Sequence, residues 1–577
     1  MVVTRQGPSP EFDASIPMVK APSKKRDRAW VFYGIALVVY LVIRLIVWKN
    51  TTILEDHDSI SYLETIKVFL TWEANRVWHL NPDATPLYPF FGALFSLPGW
   101  SVEVGARLCS LVFSVGLAVA IVGIGQRFAS AAAIGLGLVI MAFNTSIIPL
   151  SISVLTEPIF IAMVYFGLWL FWRQYENPAK TQGLLLGALF GMSFLARTEG
   201  VIFLVAVPFL QLVHFGFFRR SNYTFKPLLV WALCFVAAFA AISLPQIWRV
   251  SDMMGRFAIN GRQVWEVILN QPDGKSYEAK IYGLDYSPQQ LNLEYIQSHL
   301  ETLPRFESSI SVLQFAKTVV RNFNDLYQRQ LGLLIGPLGL IFFAFGILGL
   351  FAQRRYYEIF LVLAFIGITL IAPLVHDVDL RHIAVIGPLM MLIEGVGILY
   401  VSSLIFSFTR KDEDRERVWL RKGLPPALAG LLLICSAHPL LQTFRPPRAN
   451  YEYSPDAFKE PLAMVKREFL LDRERIPRIA VRKAFFTYMA GAQRFFIPFA
   501  DYQGLIKYCR LNDIDYLLLE DNLVKNYPFF ASFKGDLREF ECLFRGVDDS
   551  GNSIRLYRFN KNVFAAEETA RQEELSR

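Results

Sequence analysis

Charge is scarce in this chain. Of its 577 residues only 19% are Asp, Glu, Lys or Arg, below the roughly 25% usual for soluble domains. A water-soluble fold of this size would have to hide the 54% of residues that are hydrophobic, 49 phenylalanines among them. Cysteine is scarcer still. Five scattered cysteines exclude a disulfide scaffold and a cysteine metal cluster. Cys109, Cys234 and Cys435 fall in apolar segments and read as packing residues. Cys509 and Cys542 fall in a polar tail and would pair if that tail met an oxidising compartment. Internal repeats and low-complexity tracts are missing. A cleavable leader is not expected either: residues 1–28 are polar, end in Lys24-Lys25-Arg26-Asp27-Arg28, and precede an apolar run without a small-residue cleavage site. That run reads as a retained first helix, and the tail before it as disordered and cytoplasmic. The net charge of +8 does not indicate nucleic acid, because the basic residues lie between apolar segments, where they act as topology signals.

What the chain does have is long apolar runs. A membrane-spanning helix needs about 20 apolar residues, and about eleven segments qualify, near 29–48, 102–126, 130–149, 154–172, 182–197, 199–215, 227–248, 331–352, 357–374, 382–408 and 424–440. With the N-terminus inside, the inner loops hold Arg127; Arg173 and Lys180; Arg219, Arg220 and Lys226; Arg354 and Arg355; and the cluster from Arg410 to Lys422. The short outer turns hold chiefly Arg197 and Arg381. One orientation satisfies every loop, and an odd number of spans puts the C-terminus outside. The predicted architecture is a polytopic α-helical protein of the plasma (inner) membrane. A transmembrane domain covers 29–442, with outer loops at 49–101 and 249–330. A small extracytoplasmic α/β domain covers 443–577. Ser59 to Thr71 predicts an interfacial amphipathic helix, and Leu87 to Leu97, bracketed by prolines, is too short to span. In the tail, 478–482, 494–499, 515–520 and 553–559 predict strands and 502–510 a helix.

Four ionisable clusters fall on the outer side. The first is Glu55-Asp56-His57-Asp58, with Tyr62 one helical turn after Asp58. An Asp at a helix start also caps it, but three carboxylates in four residues exceed what capping requires. The second is Thr156-Glu157-Pro158, where Glu also suits a helix N-terminus. The third is Arg197-Thr198-Glu199-Gly200, whose Arg and Glu read equally as a simple ion pair. The fourth is His376-Asp377-Val378-Asp379-Leu380-Arg381-His382. Each is weak alone; their shared side is the argument, since ionisable groups at membrane depth are costly and mark functional cavities. Glu394, mid-helix, reads as a packing residue in need of a partner. Carboxylates with Arg and His at an outer membrane face suit sugar transfer from a lipid-phosphate carrier. The acceptor hydroxyl must lose a proton, and the leaving phosphate needs positive charge.

Asp58-Ser59-Ile60-Ser61-Tyr62-Leu63 followed by Pro86-Leu87-Tyr88-Pro89 resembles the first outer loop of GT-C type glycosyltransferases. The nearest group is the bacterial relatives of protein O-mannosyltransferases and of the lipid A aminoarabinose transferase. Leu155-Thr156-Glu157-Pro158-Ile159-Phe160, Leu195-Ala196-Arg197-Thr198-Glu199-Gly200, and Arg381-His382 with Pro388 resemble further signatures. The resemblance runs from about 30 to 405. It implies an inverting enzyme using a polyprenyl-phosphate sugar, with Asp58 as catalytic base, Glu157 as a second acidic site residue, and Arg197, Arg381 and His382 at the lipid phosphate. Ser59 stands where many relatives have Glu, and Glu55 and Asp56 are additional acids. Glu55, Asp56, Tyr62 and Glu199 are therefore candidates for acceptor or metal contacts, and a divalent cation, magnesium or manganese, stays open. The acceptor is left undefined: a protein, a lipid or a glycan. The rival readings are a transporter or flippase of lipid-linked sugars, which would place charge near the membrane midplane, and an assembly subunit whose outer domain binds a partner.

Overall fold

The computed structural model describes residues 29–50, 57–71, 77, 85–218, 225–255, 257–261, 312–375, 378–408, 424–428, 430–431, 455–471, 475–482, 484–495, 497–498, 500–525, 527–533, 537–547 and 551–563. The helices in chain order are α1 (Ala29–Asn50), α2 (His57–Thr71), α3 (Leu87–Ser96), α4 (Val102–Gly125), α5 (Ala131–Phe143), α6 (Ile147–Ile152), α7 (Glu157–Gln174), α8 (Lys180–Ala196), α9 (Phe203–Val213), α10 (Phe225–Met254), α11 (Val312–Asp325), α12 (Leu331–Ala352), α13 (Tyr356–Val375), α14 (Leu380–Ile383) and α15 (Gly387–Phe408). Among the described residues, seven helical stretches are long and apolar enough to cross a membrane: 30–49, 102–125, 198–218, 225–253, 315–352, 356–375 and 380–406. Their outward faces are apolar, with Val205, Phe209 and Trp248 at 73%, 55% and 70% exposure, as lipid contact requires and water would penalise.

One expected span takes a different form. The run 130–149 is divided at Asn144, whose Oδ1 accepts from the backbone N–H of Ser146 (3.1 Å) and Ile147 (2.9 Å) while its Nδ2 donates to the Leu334 carbonyl (2.6 Å). This Asx turn ends α5 and starts α6. The segments 154–172 and 182–197 form α7 and α8, of 18 and 17 residues. Of 424–440, only 424–428 and 430–431 are described.

Without a hydrophobic driving force between helices in lipid, close backbone approach holds a bundle together. Gly183, Gly187 and Gly191 recur every four residues on α8 and face α10. A Cβ at Gly187 would run into the Phe235 carbonyl oxygen, and one at Gly183 into that of Trp231. Gly187→Ala is expected to destabilise the protein by about 1–3 kcal/mol through overpacking, read as a lower midpoint of thermal aggregation in detergent. Gly367→Ala, where an added Cβ meets nothing within 4 Å, should leave that midpoint unchanged. Glu394, on α15, is 1% exposed and its Oε1 has no hydrogen-bond partner. It lies against Gly339 of α12, in keeping with a packing position.

The C-terminal part holds α16 (Lys459–Leu471), α17 (Ala484–Ala490), α18 (Tyr502–Leu511) and a five-stranded sheet of order β2-β1-β3-β5-β4. The strands are β1 (Arg478–Val481), β2 (Gln493–Phe495), β3 (Tyr516–Glu520), β4 (Phe540–Val547) and β5 (Ser553–Phe559). β1 pairs in parallel with β2 and β3, and β5 pairs antiparallel with β3 and β4. Cys509 and Cys542 do not pair; both are free. Cys509 is buried under the sheet, and the Cys542 thiol donates to the Phe544 carbonyl (3.5 Å) on β4.

An ionic knot ties the start of β1 to the end of β5. Lys561 bonds Asp513 (2.6 Å) and Asp515 (2.7 Å), and Arg475 pairs with both. Asp513 has a φ of 52°, a conformation Asp and Asn tolerate best after Gly. Partial burial pushes its carboxyl up, but Lys561, Arg475 and Arg478 outweigh it and hold its pKa below the ordinary value. A depressed carboxylate stabilises the fold above its unfolded pKa and loses that contribution as pH falls through the folded value. Asp513→Asn should therefore lower the midpoint of thermal unfolding at neutral pH, and the difference from wild type should vanish in acid below the ordinary Asp range.

Candidate active site

Glu157 opens α7. Thr156 precedes it and Pro158 follows in the first turn, where a missing N–H costs nothing. The carboxylate is 1% exposed, and its Oε1 accepts from Arg197 Nη1 (2.5 Å) and Arg381 Nε (3.0 Å). Its Oε2 is buried and has no hydrogen-bond partner among the described residues. Arg197 is extended (φ −151°, ψ 135°) between α8 and a 3₁₀ turn at Thr198–Ile202. The return is tight: a Cβ at Gly200 would sit 2.5 Å from the Phe194 backbone nitrogen. Arg197 also donates from Nη2 to Glu199 Oε1 (2.8 Å). Arg381 and His382 lie on α14, capped by Asp379, whose carboxylate accepts from the Arg381 N–H (3.3 Å).

Arg197, Glu199, Arg381 and His382 border one cavity of about 250 Å³. Thr198, Asn260 and Thr369 complete its polar lining, and its other walls are apolar, from Phe160 and Ile161 on α7, Phe203 on α9 and Ala372 and Pro373 on α13. Three of the four sequence clusters thus meet, although they stand about 40 and 224 positions apart along the chain. The bulk of the charge is balanced as two arginines against two glutamates. Glu157 does not line the cavity; its Oε1 is shared by both guanidinium groups.

The first cluster comes near through α2. Its apolar face, Ile60, Leu63 and Ile66, is buried against α3 and α4. Tyr62 packs edge-on to Tyr88 (5.6 Å between ring centroids) and lies within electrostatic reach of Arg197. Asp58 stands one turn before Tyr62, in the first turn of α2; its side chain, like Glu55, Asp56, His376 and Asp377, lies outside the described residues. Also on α2, the Lys67 ammonium sits 4.6 Å over the Tyr488 ring of α17, so the C-terminal part bears directly on the helix that carries Asp58. Among the described residues no three His, Cys, Asp or Glu side chains are grouped to hold a metal ion, and Glu157 and Glu199 are both engaged by Arg197.

Asn260 escaped the sequence reading. It donates to Thr198 Oγ1 (3.4 Å), and its Oδ1 has no partner among the described residues. It comes from the segment after α10, where nothing in its sequence neighbourhood marks one polar residue above the others.

Residues 83–244 match the family model described as dolichyl-phosphate-mannose-protein mannosyltransferase, a segment of less than half the chain. The fold decides the rest. Archaeal oligosaccharyltransferase AglB from Archaeoglobus fulgidus, in complex with an inhibitory peptide and a dolichol-phosphate, superposes with a TM-score of 0.55 at 13% identity, over 94% of this chain and 75% of that one. The chain has a GT-C type glycosyltransferase fold. The same oligosaccharyltransferase in complex with Zn and sulfate matches with a TM-score of 0.52 at 12% identity, over 91% of this chain and 72% of that one. ArnT from Cupriavidus metallidurans in the apo state matches with a TM-score of 0.50 at 12% identity, over 91% of this chain and 97% of that one. No curated protein matched in sequence. The mannosyltransferase segment contains Pro86 to Pro89, Glu157 and Arg197, three of the places where the sequence resembles the group. The glycosyltransferase class rests on that segment match and this fold together.

Proposed function

We propose that the protein is an inverting glycosyltransferase that moves a sugar from a polyprenyl-phosphate carrier to an acceptor hydroxyl at the outer membrane face. The observation that carries this reading is the cavity in which Arg197 and Arg381 meet an apolar wall, because a lipid phosphate needs both at once. Arg forks bind phosphate oxygens strongly and directionally. Arg197, Arg381 and His382 stabilise the charge that gathers on the carrier phosphate as the sugar leaves. Asp58 takes the acceptor proton. The acceptor oxygen bonds the anomeric carbon from the side opposite the phosphate, the carbon–phosphate-oxygen bond breaks, and the configuration inverts. The dolichol-phosphate and peptide bound to the oligosaccharyltransferase support a lipid-linked donor and leave a protein acceptor among the candidates.

In this reading the chain crosses the membrane about eleven times, with the N-terminus cytoplasmic and the C-terminal domain outside, in the plasma membrane. The transporter reading is disfavoured by the convergence of three ionisable clusters at one cavity rather than along a midplane path. The test is purified protein in lipid with polyprenyl-phosphate-linked sugars and host membrane extract, followed by mass spectrometry and by NMR of the new linkage. Release of sugar-free carrier with an inverted product supports the proposal. Carrier-linked sugar that crosses the bilayer unconsumed would overturn it in favour of transport.

A further inference from the structure

Helix α11 carries an exposed apolar surface that nothing in the transfer reaction uses. Successive helical residues are about 100° apart, which sorts α11 and the wide turn after it, Leu326–Gln330, into three faces. Thr318, Asn322 and Leu326 face the protein: Asn322 and Leu326 are buried, and Asn322 Nδ2 donates to the Leu374 carbonyl (3.0 Å) at the end of α13. Val320, Phe323 and Tyr327 form a second face and are 68%, 59% and 67% exposed. Lys317, Arg321, Asn324 and Gln328 form the third, all exposed.

A helix with one face on protein, one apolar and one cationic has the build of a segment lying along a membrane surface. The contact at Leu374 fixes its level. That residue directly follows Ala372 and Pro373, which line the cavity, so α11 lies on the same side of the membrane as the candidate active site. The helix is continuous with α12 but is followed by a kink at Gly336 (φ 71°, ψ 165°) and Pro337, which lets it leave the direction of the span.

We propose that this face of α11 docks anionic phospholipid of the leaflet next to the cavity. Val320, Phe323 and Tyr327 lie among the acyl chains, and Lys317 and Arg321 hold the headgroup phosphate. Charge complementarity selects the occupant: the apolar face alone would accept any lipid, whereas two adjacent cations favour an anionic one. The bound lipid would brace the end of α13 and with it one cavity wall. The proposal does not depend on the sugar-transfer reading.

The experiment uses the full chain in nanodiscs of phosphatidylcholine and phosphatidylglycerol, with lipid retained after detergent extraction counted by native mass spectrometry. Wild type is expected to keep phosphatidylglycerol in preference to phosphatidylcholine, and Lys317→Gln/Arg321→Gln to reduce that preference roughly tenfold. Photoactivatable phosphatidylglycerol cross-linked to the unmodified protein is expected to map to peptides within 312–330, a readout that needs no variant. Equal retention of the two lipids, an undiminished preference in the double variant, or cross-links confined to other segments would each overturn the proposal. So would loss of the cross-link when stoichiometric polyprenyl phosphate is added before photolysis, which would make the face a carrier site instead.

Discussion

Glu157→Gln is expected to cost the protein both stability and turnover. The wild-type carboxylate is buried and shared by Arg197 and Arg381 through one oxygen. Removing one partner of a buried ionic group leaves the other charges uncompensated, at about 3–5 kcal/mol. Glutamine keeps the shape and one acceptor oxygen, so the loss should fall toward the lower end, seen as a lower thermal midpoint. Turnover should fall more steeply. The two guanidinium groups repel each other once the carboxylate between them is neutral, and a displacement of about 1 Å is worth roughly 10²-fold in rate. Carrier binding should not fall in proportion, because the cavity gains a net positive charge. Binding of polyprenyl phosphate at or above wild-type level, with kcat reduced by about 10² or more, separates a residue that orders the arginines from one that contacts the acceptor. Unchanged kcat would show that the arginines are held by other groups.

Asp58→Asn is expected to abolish transfer with no loss of stability. A positioned general base contributes about 10²–10⁴-fold, and asparagine cannot accept the acceptor proton. The variant keeps an amide that caps a helix as well as aspartate does, and α2 is anchored instead by Ile60, Leu63 and Ile66 and by the Tyr62–Tyr88 contact. A thermal midpoint within error of wild type, together with kcat lower by about 10³, is the expected pair of results. A cap role alone would leave both stability and activity unchanged, because asparagine caps equally well.

The sequence disclosed the bundle and the ionisable clusters because bilayer physics writes both in plain terms: long apolar runs, and charged groups rare enough to stand out. Arg197, Glu199, Arg381 and His382 were found this way and do share one cavity. Their division of labour was not legible. Nothing in Thr156-Glu157-Pro158 says that one carboxylate oxygen will serve two arginines, since that depends on α8 and α14 reaching the same end of α7. Asn260 was invisible for the same reason. The Asx turn at Asn144 shows how one polar residue within an apolar run divides a span that hydropathy reads as continuous. In the tail, β4 was missed because a register shift between Cys542 and Phe544 interrupts its alternation. The glycine spacing on α8 was present in the sequence, yet its meaning needed the α10 backbone beside it.

The central claim is that Asp58 drives sugar transfer from a carrier held by the arginine cavity. Its most direct test measures binding of polyprenyl-phosphate-linked sugars and release of polyprenyl phosphate in the same bilayer, for wild type and Asp58→Asn. The account predicts equal donor affinity for the two proteins, with release by wild type and none above background by the variant. Full release by a well-folded Asp58→Asn protein would contradict it.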